Sequence, residues 1–308
     1  MTSLQSRSQS TVRPEHPRLA PYAPVIRRAT DEIQELLDGS HPVSAVRRGG
    51  RTAGLTTDQV TGALDALEAA GLLTQQGSAP YLDSPVSSKV RLIGAGAVGY
   101  QLARLLLASG LGTLYVYDSQ PPDLALYPAA GVLASQAEAL RVALADAGAR
   151  IATLSHWSKP ETVALDLTVV ACERPEPDRA ISDHLVRNDQ PQLLVRCWGN
   201  GVSVGPLIVP GQTSCLRCAD LSRSDADPQW PGVLRQLSRL QIDTPPALHA
   251  WAASVAATQT LAFLYGELPE SAGSTLELSW PGFVTRLRRW AAHPGCGCGW
   301  LSHTEWGP

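Results

Sequence analysis

The chain has 308 residues, 44% of them hydrophobic and 17% charged, and a formal net charge of -3. That is enough apolar material for one large core and a smaller one, so two domains are expected. A slightly acidic chain lacks the chain-wide basic field that would hold nucleic acid or an anionic membrane, so neither is expected as a partner.

Residues 1–18 are rich in Ser, Arg and Pro without periodicity and are expected to be disordered. They lack the apolar centre of a secretory signal, and cysteines that read as free thiols fit a reducing compartment, so the cytoplasm is the expected location. From Val25 onward, Ile26, Ala29, Ile33, Leu36 and Leu37 recur at helical spacing up to a stop at Asp38-Gly39. A second helix is expected over residues 43–48. For the third, Thr56 and Gln59 have capping-box spacing, and Val60, Ala63, Leu64, Leu67 and Ala70 form one face before Gly71. Residues 72–75 then read as the first strand of a wing. Three short helices and a hairpin make a winged-helix pattern, assigned to residues 19–88. That fold reads DNA in many proteins. Residues 1–88, however, hold eight Arg and no Lys against nine Asp plus Glu, and the third helix carries Asp58, Asp65 and Glu68 with no basic residue. Such a helix would be repelled by phosphates.

The second domain, residues 89–308, opens with a strand over 90–93. It runs into Gly94-Ala95-Gly96-Ala97-Val98-Gly99 and a helix with Val98, Leu102, Leu105 and Leu106 inward. A further strand over 114–117 ends in Asp118, completing a dinucleotide-type unit. Gly94 permits the tight turn, Gly96 lets backbone approach a phosphate, Gly99 lets helix meet sheet, and Asp118 is placed to take ribose hydroxyls. The bland alternative is that the three glycines serve turn and packing alone. Strands over 150–154, 167–171 and 192–197 alternate with helical stretches, so the fold class is α/β, doubly wound around a mostly parallel sheet with a Rossmann-like first unit. Residues 247–265 form an Ala-rich helix ended by Gly266. Its His249, Ser254 and Thr258 favour a buried or dimer-forming helix over a membrane span, and Ala250, Ala253, Ser254 and Ala257 give a small-residue face suited to a homodimer.

Cys215 and Cys218 stand near Gly211, and Cys296 and Cys298 flank Gly297. Two close pairs of thiols on Gly-bearing turns suit a tetrahedral, all-thiolate zinc site that staples distant segments and leaves no open position for water. Disulfides and unpaired buried thiols are the alternatives. Cys172 and Cys197, near strand ends, read as small buried hydrophobes. Trp230, beside Pro228 and Pro231, reads equally as a partner anchor or as a cover for the core.

The glycine-rich unit, the stretch Gly205-Pro206-Leu207-Ile208-Val209-Pro210-Gly211, the Cys215/Cys218 pair, the Ala-rich helix and the terminal cysteine pair together resemble the ThiF/MoeB superfamily of ubiquitin-activating-like adenylyltransferases. Cys215-Leu216-Arg217-Cys218-Ala219-Asp220-Leu221, Asp227-Pro228-Gln229-Trp230-Pro231 and His293-Pro294-Gly295-Cys296-Gly297-Cys298 are similar to the group attached to thiazole/oxazole-modified microcin biosynthesis. The resemblance implies a winged-helix first domain that binds a precursor's leader peptide and presents it to a YcaO-type cyclodehydratase, a structural zinc, and a homodimer. It also implies ATP as a cofactor, with an Arg and a Lys after the ribose-binding Asp to neutralise phosphate charge. Residues 119–139 contain neither, and only Glu173 follows the strand ending at Ala171 as an acid that would hold magnesium. Residues 219–247 hold no cysteine to carry an acyl or persulfide group. The expectation is therefore a non-catalytic, ThiF-like peptide-binding scaffold. The alternatives are an active adenylyltransferase with cations from another subunit and a zinc-stabilised transcriptional regulator.

Overall fold

The computed structural model describes residues 17–19, 37, 40–69, 73–75, 86–147, 150–158 and 164–298. They fall in two compact units, Met1–Ser84 and Pro85–Pro308.

In the first unit, α1 (Val43–Thr52) and α2 (Thr57–Ala69) are joined by a short turn. The capping box forms as its spacing predicts: the Thr56 amide donates to Gln59 Oε1 at 2.8 Å and the Gln59 amide to Thr56 Oγ1 at 3.2 Å. Leu37, Val46, Val60 and Leu64 make a small core, with Val43, Leu55, Leu67 and Leu73 packed on it. α1 runs past the expected stop at Arg48 and through Gly49-Gly50, because Gly50 lies one turn from Val46 on the buried face. The strand read as the start of a wing is β2 (Leu73–Gln75), but among the described residues its partner lies upstream. It pairs antiparallel with β1 (Pro17–Leu19), Pro17 opposite Gln75 and Leu19 opposite Leu73. Pro17 and Arg18, which composition places at the end of the leader segment, thus belong to a strand. A three-residue strand is too short to leave a periodic signal, and proline is tolerated at a strand's first position. The helix expected from Val25 lies, apart from Leu37, outside the described residues, as does any second wing strand.

The second unit is built on one eight-stranded sheet of order β10-β9-β8-β7-β6-β3-β4-β5. Its strands are β3 (Lys89–Ile93), β4 (Thr113–Tyr117), β5 (Arg150–Thr153), β6 (Leu167–Ala171), β7 (Gln192–Cys197), β8 (Gly201–Ile208), β9 (Ser274–Ser279) and β10 (Val284–Arg289). β5, β4, β3, β6 and β7 run parallel, and β8, β9 and β10 add on antiparallel. The helices are α3 (Ala97–Ala108), α4 (Gln136–Ala143), α5 (Arg179–Arg187), α6 (Leu216–Ala226), α7 (Trp230–Leu237) and α8 (Pro246–Leu264). Successive residues of the central strands point to opposite faces. Leu92, Val169 and Leu193 join Leu102, Leu140, Ala252 and Ala256 in one core, while Ile93, Val170 and Leu194 join Ile181, Leu185 and Leu216 in the other. Buried apolar residues on both faces are what makes these strands read as continuous apolar runs.

α8 ends before Gly266, which takes the left-handed φ of 82° that only glycine adopts freely. Ala253 and Ala257 of its small-residue face are buried in the chain's own core, so half of that face is already used within the unit. Among the described residues no helix is long and apolar enough to cross a membrane. The β9–β10 hairpin was not expected, because all six residues of β10 are exposed and carry no apolar alternation.

Candidate functional site

Two regions of the second unit bring the sequence-chosen residues together. The first is the cysteine cluster. β8 ends at a turn in which Thr213 Oγ1 accepts from the Val209 amide at 2.9 Å, and this turn presents Cys215 as the N-cap of α6 with Cys218 in its first turn. The chain after β10 presents Cys296 and Cys298 on either side of Gly297, whose φ is 75°. Ser214 Oγ donates to the Trp290 carbonyl at 2.6 Å and ties the two segments.

All four sulfurs lie within 4.8 Å of one another, with Cys215–Cys296 at 3.5 Å, Cys218–Cys298 at 3.2 Å and Cys215–Cys218 at 3.9 Å. A zinc ion with Zn–S bonds of ~2.3 Å sets tetrahedral sulfurs ~3.8 Å apart. The cluster fits such an ion, and all four are free thiols. The N-terminus of α6 further favours thiolates over thiols. Within the pair on α6 a proton is shared unequally. The hydrogen bond from Cys215 brings the Cys218 thiol well below the ordinary thiol value against the effect of burial, while Cys215, which keeps the proton, moves up. A metal bound here would meet four protein ligands and no water, and would act as a cross-link.

The second region is the glycine turn. It lies at the carboxyl ends of β3 and β6, where the strand order reverses and doubly wound sheets open a crevice. Gly94 (φ 104°) and Gly99 are required by packing: a Cβ at either would lie 2.1 Å from a backbone oxygen, that of Ala171 or of Gly94 respectively. Gly96 is different, since a Cβ there would meet Glu173 Oε1 at 2.5 Å. Glu173, a non-glycine residue at φ 50°, turns its carboxylate into the first turn of α3 and accepts the Val98 amide at 2.7 Å. Asp118 does the same on the other side, with Oδ2 accepting the Ala95 amide at 2.8 Å and Oδ1 the Gln120 amide at 3.0 Å. Tyr127 closes the turn with a hydroxyl donating to the Ala95 carbonyl at 2.5 Å.

Burial raises the Glu173 carboxyl against the pull of the Val98 amide, and Asp118 and Asp123 push it further the same way. Burial, then Asp118, push the Tyr127 hydroxyl up. Among the described residues, neither Asp118 nor Glu173 pairs with a Lys or Arg. Arg174, next to Glu173, donates instead to the Ser238 carbonyl at 3.2 Å. A nucleotide triphosphate therefore does not fit this turn as it stands: two of its amides already hold carboxylates, and the charge nearby is negative.

The remaining residues singled out from sequence carry no chemistry here. Burial lifts the thiols of Cys172 and Cys197 to about 12, far from thiolates at neutral pH. Trp230 is neither free anchor nor simple cover. Its Nε1 donates to Asp220 Oδ1 at 3.0 Å and its ring faces the Arg223 guanidinium at 4.6 Å, with Trp290 on Arg223's other side at 4.8 Å. That stack belongs to a network the sequence reading missed. Glu176, only 4% exposed, accepts from Arg179, Arg196 and Arg223 at 2.8, 3.1 and 3.3 Å, and Arg179 Nε also donates to Asp220 at 2.7 Å. The Pro175-Glu176-Pro177 stretch reads as loop, which hides a buried acid; Arg196, inside the largely apolar strand β7, was the available signal.

No family model and no curated protein matches the chain. Solved structures do. The structure of E. coli MccB with ATP has a TM-score of 0.70 at 16% identity, covering 92% of this chain and 99% of that one. MccB with AMPCPP and MccA has a TM-score of 0.73 at 15% identity over the same shares, 92% and 99%. PaaA matches with a TM-score of 0.53 at 18% identity, covering 68% of this chain and 75% of that one. The chain thus has an MccB-like α/β fold with a four-cysteine cluster that fits zinc.

Proposed function

We propose that this chain is a non-catalytic, ThiF-like binding protein: a zinc-stapled α/β unit, joined to a small N-terminal unit, that holds a ribosomally made precursor peptide for a YcaO-type cyclodehydratase. The observation that carries this reading is the pair of carboxylates, Glu173 and Asp118, on the amides of the glycine turn. An adenylating site must gather positive charge around a triphosphate as charge moves between oxygens. This turn gathers negative charge, and residues 119–139 supply no Lys or Arg. The fold is kept, and peptide binding is the function that the similarity to MccB, a microcin C7 biosynthetic enzyme solved with MccA, best supports. The YcaO-type partner and the leader peptide rest on the family-like segments around Cys215, Trp230 and Cys296.

In this reading Cys215, Cys218, Cys296 and Cys298 hold a zinc ion whose only contribution is cohesion. The chain's own residues do the rest. The Glu176–Arg179–Arg196–Arg223–Asp220 network locks the loop after β6 onto α6, and so fixes the surface beside the metal. The test is peptide-dependent ATP–pyrophosphate exchange with the full chain, run beside binding of a labelled precursor peptide by fluorescence anisotropy. Binding without exchange is the expected outcome, and exchange would overturn the non-catalytic reading.

The MccB–ATP structure favours one alternative, an active adenylyltransferase with cations from a second subunit. Tight ATP–Mg binding that is lost in Asp118→Ala would install it. DNA binding by the N-terminal unit has no such support, since α2 carries Asp58, Asp65 and Glu68 and no basic residue.

A further inference from the structure

The anion-binding end of α3 is occupied by the protein itself. Backbone amides at the start of a helix that follows a glycine-rich turn draw in negative charge, ordinarily a ligand phosphate. Here the group that answers is Glu173. Its Oε1 lies 2.7 Å from the Val98 nitrogen, and Oε1, Cδ and Oε2 all fall within 2.8 Å of the point where a side chain on Gly96 would begin. The space that the missing Gly96 side chain leaves, which in a nucleotide site admits the phosphate, is filled by a carboxylate. Two further facts show that this is a held arrangement. Glu173 adopts a left-handed φ of 50°, a conformation that disfavours residues with a Cβ and persists where surrounding contacts enforce it. The carboxylate is also half-buried, flanked by Asp118 on the Ala95 amide.

We propose that Glu173 is an internal anion that closes the glycine turn, so that its carboxylate and a nucleotide phosphate exclude each other and the turn is a latent nucleotide site. This deepens the non-catalytic reading above and rests on it. A phosphate entering the turn must displace the carboxylate from Val98 and then lie against it and Asp118, neither of which pairs with a Lys or Arg among the described residues.

The test is calorimetric titration of the full-length chain with ATP, with and without magnesium, for wild type, Glu173→Gly and Glu173→Gln, with thermal melts as the check on folding. Glycine removes the carboxylate at a φ that suits glycine. Glutamine keeps the size and an acceptor oxygen but not the charge. Wild type should show no binding at ~1 mM ATP, and Glu173→Gly should bind at least ~10-fold tighter than that limit, a change equal to ~1.4 kcal/mol. Glu173→Gln should gain less, at least ~3-fold, the scale of one charge at a helix N-terminus. If Glu173→Gly does not fold, the glutamine variant alone decides.

No gain in a folded variant overturns the proposal and leaves the non-catalytic reading standing. ATP binding by wild type that weakens in both variants, as loss of a magnesium ligand would produce, also overturns it. Pyrophosphate exchange by wild type overturns both readings, since exchange requires ATP in the turn, whereas no gain in a folded variant together with no exchange overturns the latent site alone, so the two failures are distinguishable.

Discussion

The cysteine cluster and the glycine turn are both glycine-shaped devices built on one sheet, yet they differ in what fills them. Around Gly297 the chain brings four sulfurs to mutual distances that suit one metal. Around Gly96 the chain also builds the cradle, and then puts Glu173 in it. The same class of motif thus reports a ligand in one place and only a backbone shape in the other. The difference is legible in the chemistry of the groups: four clustered thiolates repel one another unless a cation joins them, whereas helix amides bind any anion, including one the protein supplies.

The largest effect that can break this contrast is at the metal. Cys218→Ser removes one of four ligands and should forfeit a sizeable part of the ~10–16 kcal/mol that structural zinc typically contributes. Elemental analysis should find the zinc lost, and a melt with chelator should leave the variant unmoved while destabilising wild type. Next is Glu176→Ala, which strands Arg196, itself 5% exposed, among buried neighbours. Breaking such a buried pair from one side costs ~3–5 kcal/mol, measured by urea unfolding. Asp220→Asn, at a more exposed carboxylate, should cost clearly less.

Smaller again is the difference between two glycines of the turn. Gly99→Ala drives a Cβ against the Gly94 carbonyl, which is backbone and cannot give way, for ~1–3 kcal/mol. Gly96→Ala meets only the end of the Glu173 side chain, so it should cost less, and Glu173→Gly should relieve it in a double-mutant cycle. Equal costs for the two, with no coupling to residue 173, would remove Glu173 from the cradle. The smallest effect is in pH. The Glu173 carboxyl is raised by burial, so its contribution to stability is fully present below the ordinary carboxylate value and is lost as pH rises through the raised one. Glu173→Gln should flatten stability over the pH range just above the ordinary carboxylate value.

The central strands were legible because each is an apolar run buried on both faces: Leu167–Ala171 and Gln192–Cys197 have the bounds expected of them. The cysteine cluster was legible because thiol spacing is itself the chemistry. β10 was not, since Val284, Arg286 and Leu287 are all exposed and nothing in their order marks a buried face. Glu173 reads in sequence only as the one acid after β6 that could stand in for a magnesium ligand, and its actual contact was not legible. Its place after a strand is visible in sequence, but its bond to Val98 spans 75 residues and depends on β3 and β6 being neighbours. Asp118 follows the end of β4 as expected, and its bond to the Ala95 amide, 23 residues away, is one that the sequence order does not display.

Native mass spectrometry of the full chain in the presence of zinc and ATP–Mg tests both halves of the contrast at once. The account predicts a species carrying one zinc per chain and no nucleotide. A chain that stays folded without metal, or one that carries a nucleotide as readily as zinc, would contradict it.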